Sequence, residues 1–380
     1  MFFSFNAQSK YMATPLKFIY DDVFFAELKT SLQKAIPGID SKKFLADVKN
    51  KDWTAMELKQ RMRHLSTILQ VHLKADYKKQ LSQLLNLVDA LPANSKVQYS
   101  GLAYMYIPDF LAQYGLDDVA LSLKAMEKIN MFTSCEFAIR PFLLANQKIV
   151  MKQMLLWSKH PHENMRRFAS EGCRPRLPWG SAIPSFKKDP SPVLPVLENL
   201  KNDASVYVQK SVANNLNDIS KDHPELVVEI ARRWQGKSAT TDWIIKQACR
   251  SLLKNGHKEA LDFFGTGSHV KCEVRDFKIS RTSLKIGERL EFVFQLQLKE
   301  KATKKLRLEY AVYYQKANGT LSKRIFKIKE GQYQHDKLHS FSRKHSFKDL
   351  TTRRHHAGRH VIAIVVNGNE LATQAFFINQ

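Results

Sequence analysis

The sequence predicts an all-α helical solenoid followed by a small all-β sandwich, on three observations. Apolar residues recur at three- and four-residue spacing up to about residue 265. A weak repeat of about forty residues runs through the second half of that helical part. After Gly265-Thr266-Gly267-Ser268 the texture changes to short runs that alternate apolar with polar.

Met56–Leu73, Tyr77–Leu91 and Gln147–Trp157 each carry an apolar stripe of helical period. Pro37-Gly38, Pro92-Ala93-Asn94, His160-Pro161, Asp189-Pro190-Ser191-Pro192 and His223-Pro224 separate such segments with turn chemistry. The repeat aligns Met165, Val208 and Ile245, in steps of 43 and 37 residues. Each is followed by two long polar residues and then by small or apolar ones that let helices pack closely. The step is close to the period of HEAT and armadillo repeats, whose stacked helix pairs form a curved surface with a concave side. The solenoid is therefore HEAT-like; an ordinary helical bundle is the competing reading.

Seven strands are expected beyond residue 268: Lys271–Ile279, Arg289–Leu298, Arg307–Gln315, Ser322–Ile328, His339–Phe347, Arg359–Val366 and Leu371–Ile378. Lys285-Ile286-Gly287-Glu288, Ala317-Asn318-Gly319 and Asn367-Gly368-Asn369 lie between them as turns. Seven short strands in so few residues suit an immunoglobulin-like sandwich. Only Cys272 falls in this region, so an inter-sheet disulfide is not available to it. A small barrel is the alternative. The expected divisions are thus an N-terminal extension at 1–13, a helical domain at 14–265 and a basic sandwich at 268–380.

Composition narrows the function. The 380 residues are 44% hydrophobic with 23 phenylalanines, which fits a folded chain able to bury more than one core. No apolar run is long enough to span a membrane, and the start lacks the basic and apolar regions of a signal peptide. Cys135, Cys173, Cys249 and Cys272 are far apart and form no CxxC pair, so they read as thiols of a reducing cytoplasm and not as a zinc site. Lysine plus arginine number 60 against 36 acids, a net charge of +24. Such an excess attracts polyanions, nucleic acid before anionic membrane. Residues 268–380 are the most densely basic part, with 23 Lys/Arg against 10 Asp/Glu.

The stretch from Phe132 to Gly180 is the most unusual. Glu136 and Arg140 are four apart and would share a helical face, as would Glu163, Arg167, Glu171 and Arg174. Arg174-Pro175-Arg176-Leu177-Pro178-Trp179-Gly180 cannot continue a helix, because each proline lacks a donor and restricts the residue before it. It is expected to be an ordered loop carrying two arginines and a tryptophan. The plainer reading makes Glu136–Arg140 and Arg167–Glu171 surface ion pairs worth about 0–1 kcal/mol each, with Trp179 in the core.

The run Ala169-Ser170-Glu171-Gly172-Cys173-Arg174-Pro175-Arg176-Leu177-Pro178-Trp179-Gly180 resembles the AlkC branch of the AlkC/AlkD-like DNA alkylation-repair glycosylases. So do Asp189-Pro190-Ser191-Pro192-Val193-Leu194-Pro195 and the run from Ser211 to Pro224. The resemblance covers roughly residues 14–265; residues 268–380 look like the immunoglobulin-like extension of one subtype. It implies a HEAT-like solenoid that cradles duplex DNA. It implies base excision repair by a monofunctional, monomeric glycosylase without metal or cofactor, acting in the bacterial cytoplasm at the nucleoid. The expected substrates are cationic bases, 3-methyladenine and 3-methylcytosine with 1-methyladenine as a further candidate, excised without flipping. Glu136 and Glu171 match the acidic catalytic positions, and Trp179 an aromatic packed beside the lesion. Arg140, Arg166, Arg167, Arg174, Arg176, Lys210 and Lys246 would then hold flanking phosphates, which sets register without reading sequence. A non-catalytic DNA-binding solenoid and a protein scaffold are the other functions that this fold serves.

Overall fold

The computed structural model describes residues 15–267, 270–335, 337–349 and 354–379. The expected extension at residues 1–13 lies outside the described residues. After a 3-10 turn at Leu16–Ile19 the helices are α1 (Asp22–Ala35), α2 (Ser41–Val48), α3 (Leu58–His72), α4 (Tyr77–Ala90), α5 (Ser100–Ala103), α6 (Tyr106–Tyr114), α7 (Val119–Phe132), α8 (Ile139–Ala145), α9 (Gln147–Trp157), α10 (Glu163–Gly172), α11 (Pro184–Lys188), α12 (Leu194–Leu200), α13 (Val206–Ile219), α14 (Pro224–Trp234), α15 (Ala239–Ala248), α16 (Arg250–Lys254) and α17 (Lys258–Phe263). The three segments read as helices from their apolar stripes are α3, α4 and α9, with ends shifted by two residues at most.

Local chemistry sets where these helices begin. Asp21, Asp40, Asp76 and Asp118 each accept a hydrogen bond from a backbone N–H in the first turn of α1, α2, α4 and α7, satisfying a donor that the helix leaves unpaired. Pro184 and Pro224 open α11 and α14, where a missing N–H costs nothing. The aligned repeat positions Met165, Val208 and Ile245 fall on α10, α13 and α15, and all three are buried.

Two compact units divide the chain, Met1–Asp218 and Ile219–Gln380. The division falls near the end of α13, well before the change from helix to strand between Phe263 and Cys272. The first unit has an aromatic core in which Phe24, Tyr104, Tyr106, Phe110, Phe142 and Phe168 are fully buried. Arg61 is buried there too. Its guanidinium stacks on Trp53 at 4.6 Å and donates to the Lys17 and Met56 carbonyls at 2.8 and 3.1 Å, so no carboxylate is needed to bury it.

The second unit joins α14–α17 to the sandwich, whose strands are β1 (Cys272–Ile279), β2 (Ser283–Lys285), β3 (Arg289–Leu298), β4 (Lys304–Gln315), β5 (Leu321–Tyr333), β6 (Leu338–Ser346), β7 (Gly358–Val366) and β8 (Asn369–Asn379). All seven expected strands are present. The eighth, β2, is three residues with one buried side chain, too short to show alternation. One sheet orders β1-β3-β6 and the other β2-β8-β7-β4-β5, antiparallel except for the β2–β8 pair. This is a two-sheet sandwich, not a barrel. Alternate residues of β3, from Leu290 to Leu298, point into a shared core with Leu306, Leu308, Phe347 and Ile364. Within this unit Lys305 Nζ donates to the Phe264 carbonyl at 3.0 Å and Asn367 Nδ2 to the Gly267 carbonyl at 2.9 Å.

The β7–β8 turn also approaches the loop after α16 at a pair of glycines, Gly368 and Gly256. Gly368 has φ +82°, and a Cβ there would lie 2.7 Å from Gly256 Cα. Gly319 has nearly the same φ, +80°, with nothing within 4 Å. Gly319→Ala is expected to cost only the left-handed backbone penalty, about 1–2 kcal/mol. Gly368→Ala should lower the melting temperature more, because backbone must shift as well. Equal shifts in thermal melts of the two variants would show the close approach to be immaterial.

Candidate active site

Helix α10 carries the centre of the site. On its inward side Phe168 stacks on Trp157, centroids 5.0 Å apart. Gly172 lets α10 sit close, since a Cβ there would lie 2.9 Å from Met154 Cε and 3.0 Å from Ile139 Cγ2. Arg167 and Glu171, one turn apart, lie along its other side and meet groups from two other elements.

Glu171 is 6% exposed and fully partnered. Its Oε1 accepts from Arg174 Nη1 at 2.6 Å and lies 3.6 Å from Arg167 Nη2, and its Oε2 accepts from Ser211 Oγ at 2.6 Å. Arg174 donates Nε to Asp218 Oδ2 at 2.8 Å. Burial, the largest single influence, pulls the Arg174 guanidinium down, but Glu171 and Asp218 outweigh it and hold its pKa above the ordinary value. At the other end Arg167 Nη1 donates to Glu136 Oε2, which also accepts from Ser134 Oγ at 2.9 Å. Glu136 Oε1 has no hydrogen-bond partner among the described residues. The Arg167 guanidinium lies 4.9 Å from the ring of Tyr207, which is itself 48% exposed.

The result is a line of alternating charge, Glu136–Arg167–Glu171–Arg174–Asp218, with three acids to two bases. Sequence reasoning placed four of the five and missed Asp218. Tyr207, Ser211, Asn215 and Asp218 recur at helical spacing along one face of α13, and Asn215 Nδ2 donates to the Ser170 carbonyl at 2.8 Å. That polar stripe was visible, but each residue alone resembles an ordinary helix-surface group.

One expectation about pairing is corrected, and the plainer reading of surface pairs does not hold. Glu136 lies in the turn before α8, not on a helix with Arg140, so the two share no face and Glu136 pairs with Arg167 instead. The pairs at Glu171 are buried, not surface contacts, because α13 covers them. Arg140 is 1% exposed; its Nε donates to the Ser181 carbonyl and its Nη1 to the Gly172 carbonyl at 3.1 Å. Burial brings its pKa down to about 10, which leaves it charged at neutral pH. Arg166 holds Asp203 with both nitrogens, at 2.6 and 3.0 Å, and also donates to the His160 and Pro161 carbonyls. Arg176 is half-buried in the loop after α10. Lys210 is exposed and makes no ion pair among the described residues. In the second unit Lys246 lies 3.9 Å from Glu330.

The loop after α10 is ordered as its prolines predict. Gly180 N donates to the Leu177 carbonyl at 3.1 Å, Pro178 is second in this turn, and Trp179 is third with φ +64°. That is a type II turn with tryptophan in the place that favours glycine, a strain of about 1–2 kcal/mol. The Trp179 ring is 58% exposed, so it is not core.

The four cysteines are free; Cys135, Cys173 and Cys249 are buried, and burial pushes the Cys173 thiol up to about 12. Among the described residues no group of three or more His, Cys, Asp or Glu side chains is arranged to hold a metal ion. No described helix is long and apolar enough to cross a membrane.

Comparison with known proteins gives a consistent set of matches. The DNA alkylation repair enzyme family matches residues 61–252, and the C-terminal Ig-like domain of the uncharacterised protein YhaZ matches residues 273–380. The uncharacterised protein YhaZ of Bacillus subtilis (strain 168) is 42% identical over 353 residues, covering 93% of this chain and 96% of that one. The solved structure of Pseudomonas fluorescens alkylpurine DNA glycosylase AlkC, bound to DNA containing an abasic site analog, superposes with a TM-score of 0.90 at 34% identity. The match covers 96% of this chain and all of that one.

The buried charge line makes a stability prediction. Arg174→Met leaves Glu171 and Asp218 without their shared cation, and is expected to cost about 3–5 kcal/mol in urea unfolding. Adding Asp218→Asn should recover part of that loss, because one buried negative charge disappears. A double variant no more stable than Arg174→Met would contradict the pairing.

Proposed function

We propose that this chain, which belongs to the DNA alkylation repair enzyme family, is a DNA glycosylase that hydrolyses the N-glycosidic bond of cationic alkylated bases in duplex DNA. 3-Methyladenine and 3-methylcytosine are the principal substrates, with 1-methyladenine a further one. The match to a glycosylase structure along nearly the whole chain supports the reaction class. The single observation that carries the reading is the acid-rich charge line on a chain of net charge +24. A protein that only held phosphate would have no use for three carboxylates gathered in one line.

A base alkylated at N3 already carries positive charge and leaves without a general acid, unlike the leaving group of a sugar hydrolase. The C1′–N bond breaks, its electron pair neutralises the departing base, and positive charge passes to the sugar as an oxocarbenium-like species. Glu136 and Glu171 stabilise that charge by their field. Water adds its oxygen to C1′ and gives its proton to a carboxylate, leaving neutral base and an abasic sugar. The unshared Oε1 of Glu136 is the acceptor best disposed for that proton, while Glu171, held on both oxygens, supplies fixed negative charge. Trp179 presents an exposed face to the cationic base, a contact worth about 0.5–2 kcal/mol that a neutral base does not gain. Its exposure favours recognition of a base that stays in the stack, in contrast to the flipping used by most base-processing enzymes.

Arg140, Arg166 and Arg174 are engaged with protein groups, so their role here is to hold the loop and the acids. Phosphate contact falls to Lys210, and to Lys246, whose long pair with Glu330 is readily exchanged. The expected domains stand as proposals, with 14–265 as the excising domain and 268–380 as a second DNA-facing module. In that module Lys304 pairs with Glu300 at 3.2 Å, Lys305 with Glu330 at 3.2 Å, and His355 is buried. Arg353 lies outside the described residues. Arg324 and Lys329 on β5 make no ion pair among the described residues and are better placed to meet phosphate. Duplex DNA is the partner, bound by a monomer in the cytoplasm at the nucleoid.

Two experiments test the reading. Glu171→Gln and Glu136→Gln should each cut single-turnover release of 3-methyladenine about 100-fold while DNA binding persists. Unchanged rates at saturating enzyme would remove the catalytic role. For the second module, Arg324→Glu with Lys329→Glu should lower the slope of log affinity against log salt by about 0.9 for each phosphate no longer held. The same slope as the parent protein would mean that these side chains do not meet phosphate.

A further inference from the structure

Trp179 occupies a backbone conformation that tryptophan does not adopt unaided, so neighbouring groups must hold it there. Two do. Arg140 donates its Nε to the Ser181 carbonyl, and Gly180 leaves room for its stem, since a Cβ there would lie 3.0 Å from Arg140 Cδ. The other is Lys59, in the first turn of α3 and 120 residues earlier in the chain, which donates its Nζ to the Trp179 carbonyl at 2.8 Å. The same ammonium stands 5.8 Å from the centroid of Phe137, the residue that follows Glu136. Lys59 therefore touches both the strained turn and the neighbour of a proposed catalytic acid. It is exposed and pairs with no carboxylate among the described residues. An ammonium has three donors, and one is taken by the carbonyl.

We infer that Lys59 is a positioning residue for base excision: it fixes the Trp179 turn beside Glu136 and gives its remaining N–H groups to a phosphate of the lesion-bearing strand. The inference rests on the reading of Trp179 as the aromatic that packs beside the lesion. In the free protein the Lys59–Trp179 bond is open to water and weak. DNA laid over the turn excludes that water and lowers the local dielectric, which strengthens the bond. A phosphate bound to the same ammonium removes its freedom to swing away. Backbone binding and aromatic presentation are then one event, and a sequence-independent contact sets the geometry of the chemical step.

The test measures 3-methyladenine release from duplex DNA in single turnovers at saturating enzyme, for Lys59→Met, Lys59→Arg, Trp179→Ala and the Lys59→Met/Trp179→Ala pair. Lys59→Met is expected to be about tenfold slower with an unchanged melting temperature, a loss that ordinary surface lysines do not give. Lys59→Arg should restore the rate, because a guanidinium can also donate to the carbonyl. Adding Lys59→Met to Trp179→Ala should cause no further loss in rate, since both act through the same ring. The salt slope of DNA affinity should fall by about 0.9 in Lys59→Met. Normal excision by Lys59→Met alongside a slow Trp179→Ala overturns the positioning role and leaves the reading of Trp179 intact. Losses that multiply in the double variant also overturn it. An unchanged salt slope overturns the phosphate contact, and normal excision by Trp179→Ala overturns the parent reading and this inference together.

Discussion

Glu171 sits between Arg167 and Arg174, and this buried alternation of charge is the constraint on which the rest of the site depends. Burying Glu171, Arg174 and Asp218 and half-burying Glu136 and Arg167 is costly, and the cost is offset only when each charge meets its opposite in good geometry. The partners come from the turn before α8, from α10, from the loop after it and from α13. Those elements are thereby tied to one register. Ser211 and Asn215 complete the arrangement by satisfying the second oxygen of Glu171 and a carbonyl of α10. The acids are thus held by the fold itself, which is what the proposed electrostatic role requires.

The chain separates two uses of charge. Its overall excess of +24 acts over a distance of about a Debye length and draws DNA without regard to sequence. The acid-rich line acts at contact range and favours a cation. Because Arg167 and Arg174 are neutralised by the carboxylates that flank them, they would not repel the positively charged base proposed as substrate. Arg140 is buried and turned to main-chain carbonyls.

The sandwich shows how a two-sheet domain coheres without a disulfide. Tyr310 and Tyr314 hold the two ring nitrogens of His345 at 3.0 and 2.7 Å, and Phe347 packs on the same imidazole with centroids 4.9 Å apart. A hydrogen-bonded aromatic cluster thus joins β4 of one sheet to β6 of the other. Part of the positive charge is answered internally: Glu330 takes Lys305, Lys327 and Arg307 around it, and although burial opposes ionisation the lysines bring its pKa down to about 2. Charge counted along the sequence therefore overstates what this unit offers to phosphate.

The sequence by itself determined the elements, because their signals are local. Helical period, turn chemistry and strand alternation act between residues only a few positions apart, and they located α3, α4, α9 and seven strands. The loop that ends in Trp179 was legible for the same reason, since two prolines forbid a helix there. Only the tertiary structure decided who pairs with whom. Glu136 is four residues from Arg140 but pairs with Arg167, thirty-one residues away, because burial and not spacing selects the partner. Asp218, Ser211 and Lys59 joined the site from positions whose side chains look ordinary in isolation. Strand β2 was missed because its pairing with β8 comes from the sheet it joins. Spacing along a chain fixes which residues share a face; which faces meet is settled by the desolvation of everything between them.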